Sequence, residues 1–503
     1  MFKLLALLAI FPAYSAATVI FNWDITWVTA KPDGVSRPVI GINGVWPCPA
    51  INANVGDRIV VHVNNKLGNE TTSIHFHGLL QQGSATMDGP SGVTQCPIPP
   101  GSNFTYDFTV NQPGTYWYHS HNKGQYPDGL RGPILIHDPH NPYKGRYDDE
   151  LVLTMSDWYH EQMPTLLRYY LSPANKGGME PMPNSALLND AQNIKLRVAP
   201  GKTYFVRVIN MAAFVSSFLH FDRHLMTIVE IDGVYTEPKI TDSLYLAAGQ
   251  RYGVLIRAPS NATENYAFLA SIDDSGFKSL APGLNPNVTG YLVYDDSKPL
   301  PRPPIVTQFT PIDDLELVPL DGKRRLGKPD VSINLDLNFA VGADGVRRGY
   351  FNNITYVTQK VPTLYTALTV GHFALNPLVY GINTNPFVVR YNQTVDIIVN
   401  NLDRMGHPMH LHGHSFQVLE RSAAADTGLH ERMVARTPDA PMRRDTVMLN
   451  AGGRLVALVK VPKDHLKVCK EQGIPTAGNA AGNTRDPLDL RGANTKPPPT
   501  NTG

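Results

Sequence analysis

Short runs rich in Val, Ile, Thr and Tyr recur along the chain and stop at Gly or Pro. Arg58-Ile-Val-Val-His-Val63, Phe205-Val-Arg-Val-Ile209, Tyr252-Gly-Val-Leu-Ile256 and Val395-Asp-Ile-Ile-Val399 are examples. β-Branched and aromatic residues in short segments closed by turn formers predict the strands of sandwiches or barrels. The turn formers, 41 Gly and 42 Pro, are spread from end to end, so the predicted fold class is all-β throughout.

A loose internal echo divides the pattern. Gly56-Asp-Arg-Ile-Val-Val, Gly201-Lys-Thr-Tyr-Phe-Val-Arg-Val and Asn392-Gln-Thr-Val-Asp-Ile-Ile-Val each open a strand followed by Asn and a loop. This predicts three related β-domains in series. Breaks at Asp138-Pro-His-Asn-Pro142 and Lys298-Pro-Leu-Pro-Arg-Pro-Pro304 set them at 18–140, 141–303 and 304–478. The tail 479–503, rich in Asn, Thr, Gly and Pro, is expected to be flexible or linker-like.

Met1 to Ala17 carry an early Lys, an apolar run from Leu4 to Phe11 and small residues from Ser15, the layout of a cleaved secretory signal. Asn-x-Ser/Thr sequons at Asn69, Asn103, Asn261, Asn287, Asn353 and Asn392 agree with secretion or exposure at the outer face of the plasma membrane. No later stretch is apolar for long enough to predict a transmembrane segment. A net charge of +1 gives no reason to expect nucleic acid as a partner. Three cysteines, Cys48, Cys96 and Cys469, leave one unpaired; a Cys96–Cys469 bridge would staple the molecule across its length.

The chemistry enters with the histidines. His75-Phe-His77-Gly, Trp117-Tyr-His119-Ser-His121 and His407-Pro-Met-His410-Leu-His412-Gly-His414 each place histidines two apart. On a strand such pairs project to one face and offer two imidazoles to one point. Imidazole serves copper, zinc, iron and nickel alike, so several converging pairs predict a polynuclear metal site. The outer motifs lie over 300 residues apart, which puts that site at an interface between the first and third domains. The absence of a His-Glu-x-x-His pattern disfavours a zinc hydrolase.

These motifs, with Gly114-Thr-Tyr-Trp-Tyr-His-Ser-His121, Gln125, Asp128-Gly129 and His407 to Phe416, resemble the multicopper oxidases over nearly the whole chain. The resemblance implies three cupredoxin-like β-sandwich or barrel domains and four copper ions. By motif position, His75 and His410 resemble the type 2 copper ligands. His77, His119, His121 and His412 resemble four of the six type 3 ligands, and His407 one of the type 1 ligands. His414 extends the motif as a packing or supporting residue. Asp88 resembles the family acid that delivers protons during oxygen reduction; the other reading is a turn Asp before Gly89.

Glu180-Pro-Met-Pro183, Val229-Glu-Ile-Asp-Gly233, Tyr350 to Tyr356, Pro441-Met-Arg-Arg-Asp445 and His465-Leu-Lys-Val-Cys469 are similar to the fungal ferroxidases of high-affinity iron uptake. That similarity implies oxidation of ferrous iron coupled to reduction of dioxygen to water, with an iron permease as partner. Glu180 and Asp403 match carboxylates that hold ferrous iron. A third carboxylate of that iron site is expected near Lys278 and an aromatic residue near Arg348, which places positive charge where a cation should bind. A laccase-like oxidase of phenols or pigment precursors is one alternative; a non-catalytic secreted copper-binding cupredoxin protein is another.

The family's fourth motif, His-Cys-His with a further His, should follow Arg443-Arg-Asp-Thr-Val447. Here Gly453-Arg-Leu-Val-Ala-Leu-Val-Lys460 runs straight into Val461-Pro-Lys-Asp-His465. Several tens of residues are missing against the family pattern near 460, so the third domain is expected to be incomplete. Cys469 and His465 match the family's ordinary tail, the cysteine being the disulfide-bonded one there. Blue copper needs a Cys thiolate beside two His. The chain as written is therefore expected to lack the type 1 centre, two type 3 histidines and oxidase turnover.

Overall fold

The computed structural model describes residues 16–275, 277, 280, 283–422, 438–461 and 477–494. The expected secretory signal lies outside them except for its last two residues, as do Lys278, His465 and Cys469 and the proposed Cys96–Cys469 bridge. No helix among the described residues is long and apolar enough to cross a membrane.

The all-β expectation holds. In the first third of the chain, one four-stranded sheet runs Arg37–Ile42, Thr18–Ala30, Arg58–Asn65, Asn103–Thr109. The facing sheet runs Ile51–Asn54, Arg131–His137, Gly114–Ser120, Ile74–His77. Period-two alternation decides what is buried: Ile59, Val61 and Val63 of one sheet meet Phe76 and Tyr118 of the other in a common core. Each such side chain contributes about 1.5–3 kcal/mol by leaving water.

The second third packs a six-stranded sheet, in the order Ser185–Leu188, Asp149–Trp158, Thr203–Asn210, Arg251–Arg257, Met226–Ile231, Val234–Thr241, against a five-stranded one. The last third has a six-stranded sheet centred on Thr394–Asn401 and Arg454–Lys460. Its facing sheet, among the described residues, has only two strands, His407–His410 and Thr446–Leu449. Every residue of His407–His410 is half-buried, whereas every residue of Ile74–His77 is buried. One apolar core runs without a break from Leu153 and Phe268 in the second unit to Val395 and Leu455 in the third.

Polar contacts join the first unit to the others. Glu230 accepts the Thr115 backbone N–H at 2.7 Å, and Leu364 donates its backbone N–H to Val93 O at 2.9 Å. Cys96 is buried against Val361 and Tyr365 at that second seam.

The linker-like reading of the tail fails over 479–494. Asn479 is fully buried and donates to Pro487 O and Asp489 O, and Ala480 donates to Val379 O. An Asn side chain that can satisfy several backbone groups fixes a turn-rich segment without apolar periodicity. The reading from composition could not register that.

Candidate metal centre

The antiparallel register of the first unit sets His75 opposite His119 and His77 opposite Trp117. On one face lie the imidazoles; on the other, Phe76 packs its ring against Tyr106 and Phe108, with centroids 5.2 and 4.8 Å apart. The alternating core residues therefore lock the histidine face outward, toward the third unit. There His410 pairs in register with Thr446. The two faces meet: the His75 and His412 ring centroids are 4.2 Å apart, and the His77 and His410 rings stack at 3.8 Å.

Within this seam one ligand atom from each of His75, His410 and His412 lies within 4.8 Å of the others. The same holds for His75, His77 and His119, and for His77 and His410 with Asp445. His121 stands beside them, its ring 5.1 Å from that of His412. The structure thus brings together six of the predicted histidines: 75, 77, 119, 121, 410 and 412. His407 is apart from this cluster, with Nε2 at 3.0 Å from Asp403 Oδ2 and its ring stacked on Phe339. His414 is turned back, its Nδ1 2.9 Å from His412 O.

The outer nitrogens are held by oxygen atoms. His75 Nδ1 lies 2.7 Å from Asp88 O, and His410 Nδ1 lies 2.8 Å from Asp445 O. The Nε2 atoms of both rings are buried without a hydrogen-bond partner. Buried polar atoms are rarely left so. A ring whose Nδ1 is engaged presents a free Nε2 to a metal, so the residues fit a bound ion. Two close approaches make the geometry possible. Gly89 has φ +101°, and a Cβ there would collide with Ile74 O, so the Asp88 loop can lie on the His75 strand. Gly78 has φ +90°, and its Cβ would fall 2.8 Å from Asp445 Oδ2.

Asp88 is not a surface turn acid. Its carboxylate is buried between His75 Nδ1 at 3.2 Å and His412 Nδ1 at 3.0 Å. Burial opposes its ionisation, but those two imidazoles outweigh burial and hold the carboxyl well below its ordinary range. Burial pushes the histidines the other way: His75 falls to about 4 and His121 to about 3, with neighbouring imidazoles adding to the shift. His77 and His119 are likewise held well below the usual imidazole value, mainly by burial. Neutral imidazoles and an ionised carboxylate are the forms a cation requires.

Sequence reasoning gave no role to Asp445 and Thr446, although both stand in the motif it quoted. Thr446 Oγ1 lies 3.0 Å from His77 Nε2 and 3.1 Å from His410 Nδ1. Asp445 accepts from Arg251 at 2.7 and 2.6 Å. Only the strand register, 35 residues away in sequence, brings them beside His410.

At the outer edge, Asp403 lies between His407 and Arg347 Nη2, the latter 3.6 Å away. Arg348 points elsewhere: its guanidinium forks onto Asp344 at 2.9 and 2.7 Å. Neighbours on a strand face opposite ways, so the positive charge beside Asp403 belongs to Arg347 and not to Arg348. Glu180 is half-buried on the loop before Pro181, and its charge is felt at Tyr170 together with that of Asp403.

Comparison with known proteins agrees with this geometry. Three family models, each described as multicopper oxidase, match residues 24–141, 149–297 and 356–466. The chain is 49% identical to the iron transport multicopper oxidase fetC of Epichloe festucae, covering 97% of this chain and 85% of that protein. It is 39% identical to the iron transport multicopper oxidase FET3 of Saccharomyces cerevisiae, covering 95% and 84%. Among solved structures it is similar to Fet3p, described as a multicopper oxidase that functions in iron import, with a TM-score of 0.84, 40% identity and 88% and 85% of the two chains covered. A laccase from Botrytis aclada gives 0.76 and 28% over 89% and 83%. The chain belongs to the multicopper oxidase family, with Fet3-type iron transport oxidases among its relatives.

Proposed function

We propose that the reaction of this chain's lineage is oxidation of ferrous iron coupled to reduction of dioxygen to water, and that the polypeptide with this sequence does not turn over. The observation that carries copper binding is the pair of buried, partnerless Nε2 atoms on His75 and His410. These two would hold one copper ion, with His77, His119, His121 and His412 as ligands of a neighbouring pair, and His407 as the one strong ligand retained from the family's blue centre. Copper bound there supplies one-electron transfer and reduction of dioxygen. The chain's own groups do the rest: Asp88, ionised between His75 and His412, accepts and passes a proton at Oδ1 or Oδ2. Asp445 and Thr446 orient His77 and His410. Asp403 and Glu180 supply the hard oxygens that suit ferrous iron. Secretion or attachment at the outer cell surface, beside a permease for the ferric product, belongs to the same reading.

Loss of turnover follows from the absent His-Cys-His segment. Two further observations support an internal loss. The alignment with fetC spans 531 positions while this chain has 503 residues, so at least 28 positions of that relative have no counterpart here. Among the described residues, the sheet carrying His407–His410 has two strands, where its counterpart in the first unit has four. Sequencing the transcript across the codons for Leu458 to Lys463 tests this: an in-frame insert encoding the motif overturns the inactive reading and restores a four-copper oxidase.

A second reading, oxidation of phenols, is favoured by one observation, the Arg347 guanidinium at Asp403. Oxygen uptake by a motif-restored protein, with ferrous iron against a diphenol as reductant, separates the two.

A further inference from the structure

The edge beside His407 carries a cation that the copper site does not use. Arg347 Nη2 lies 3.6 Å from Asp403 Oδ1. Its guanidinium carbon is also 5.8 Å from the centroid of Phe339, the ring that stacks on His407 at 5.1 Å. Its stem packs on Gly178, two residues before Glu180, where a Cβ would collide with Arg347 Cδ. Tyr170 shares the patch: burial pushes its hydroxyl up, Glu180 and Asp403 add to that, and Arg347 opposes it. The Arg347 side chain is 33% exposed and so reachable from solvent. Exposed apolar side chains flank this edge in sequence and register: Leu171 and Met179 on the Tyr170–Glu180 loop, Val341 opposite Arg347 on its hairpin, and Leu402 next to Asp403.

We propose that Arg347 sets the class of reductant at this edge. Its guanidinium occupies the place of a divalent cation at Asp403 and pairs instead with the carboxylate of a phenolic acid whose ring lies on the apolar rim. The assignment rests on the second reading above, that phenols and not ferrous iron give up their electron beside His407. An arginine next to one of two acids removes half the charge that would attract a dication. The same planar fork suits a carboxylate with two parallel N–H donors, and apolar neighbours suit an aromatic ring.

The test uses the full chain and two kinds of probe. Mn2+ is a hard, redox-inert dication that prefers carboxylate oxygen, and its binding is followed by electron paramagnetic resonance. The parent should bind it weakly at this edge; Arg347→Gln should bind about tenfold tighter, and adding Asp403→Asn should abolish the gain. The second probe is 3,4-dihydroxybenzoate against catechol, followed by calorimetry. The parent should prefer the acid by about tenfold, Arg347→Lys should keep part of that preference, and Arg347→Gln should lose it. Retention in the lysine variant separates loss of charge from a folding defect. Equal Mn2+ affinity in the parent and Arg347→Gln, or an acid preference that survives Arg347→Gln, overturns the role of Arg347 while leaving the edge as the reductant site. Binding of neither probe to any variant, or binding indifferent to both Arg347 and Asp403, overturns the edge as well.

Discussion

Replacing Asp445 by alanine should cost the molecule a large part of its stability. Both carboxylate oxygens accept from Arg251, at 2.7 and 2.6 Å, and Oδ1 also accepts from the Thr446 hydroxyl at 2.9 Å. Arg251 is fully buried, and its other carboxylate neighbour, Asp232 at 3.5 Å, is already held by two bonds to Arg444 at 2.9 Å. Removing Asp445 therefore leaves a buried guanidinium with two carbonyl acceptors, Thr115 O at 3.0 Å and Gly249 O at 3.1 Å, and one weak, shared carboxylate. Breaking a buried pair costs about 3–5 kcal/mol, and the remaining Asp232 places this case near 3 kcal/mol. For a cooperative unit of about 150–250 residues that lowers the melting temperature by roughly 6–12 °C. Asp445→Asn keeps the shape and one acceptor and should recover about half of the loss. The assay is thermal unfolding of copper-free protein followed by tryptophan fluorescence, so that metal binding adds nothing to the native state. An alanine variant that melts within about 2 °C of the parent would refute the reasoning, because the Arg251 pair would then contribute nothing net.

Protein purified with this sequence and loaded with copper should lack the strong blue absorption of a copper–thiolate centre; its appearance in the visible spectrum would show that a cysteine reaches His407. His410→Ala should weaken copper binding by at least about tenfold, while His407→Ala should leave the copper content unchanged, as measured by metal analysis after dialysis. Acid should destabilise the copper-free chain, as denaturant titrations between pH 7 and 4 would measure. His75 titrates near 4 when folded against 6.5 when unfolded, so over that window the unfolded state binds the extra proton. Stability present above pH 6.5 is lost as pH falls toward 4, by about 3 kcal/mol for His75, with His121 acting in the same direction.

The histidine cluster was legible because a two-residue spacing on a strand has one geometric meaning, and because alternating Phe76 and Tyr118 must turn into the core. The oxygen atoms that orient those rings were not. Asp445 and Thr446 reach His410 through the register of two strands separated by a long excursion, and no local pattern encodes that register. The same limit explains Arg348. Sequence comparison finds a position to within a residue, but adjacent strand residues face opposite sides, so one step decides whether a charge meets Asp403 or Asp344. Composition misread residues 479–494 for another reason. Asn479 organises its turn by satisfying main-chain groups, which leaves no hydrophobic signature.

The unbroken core between the second and third units makes them neighbours in folding as well as in space. Val395 and Leu455 pack in the same apolar mass as Leu153 and Phe268, so the larger sheet of the third unit is anchored from behind whatever faces it. A free-standing sandwich stripped to a two-stranded face would have little to hold it together. Here the second unit supplies the apolar surface against which the third one's larger sheet is held. A deletion of the kind proposed above would silence the chemistry and still leave a core on which the imidazoles stay assembled. On that reading, copper capture and electron transfer would come apart as separate properties of one fold.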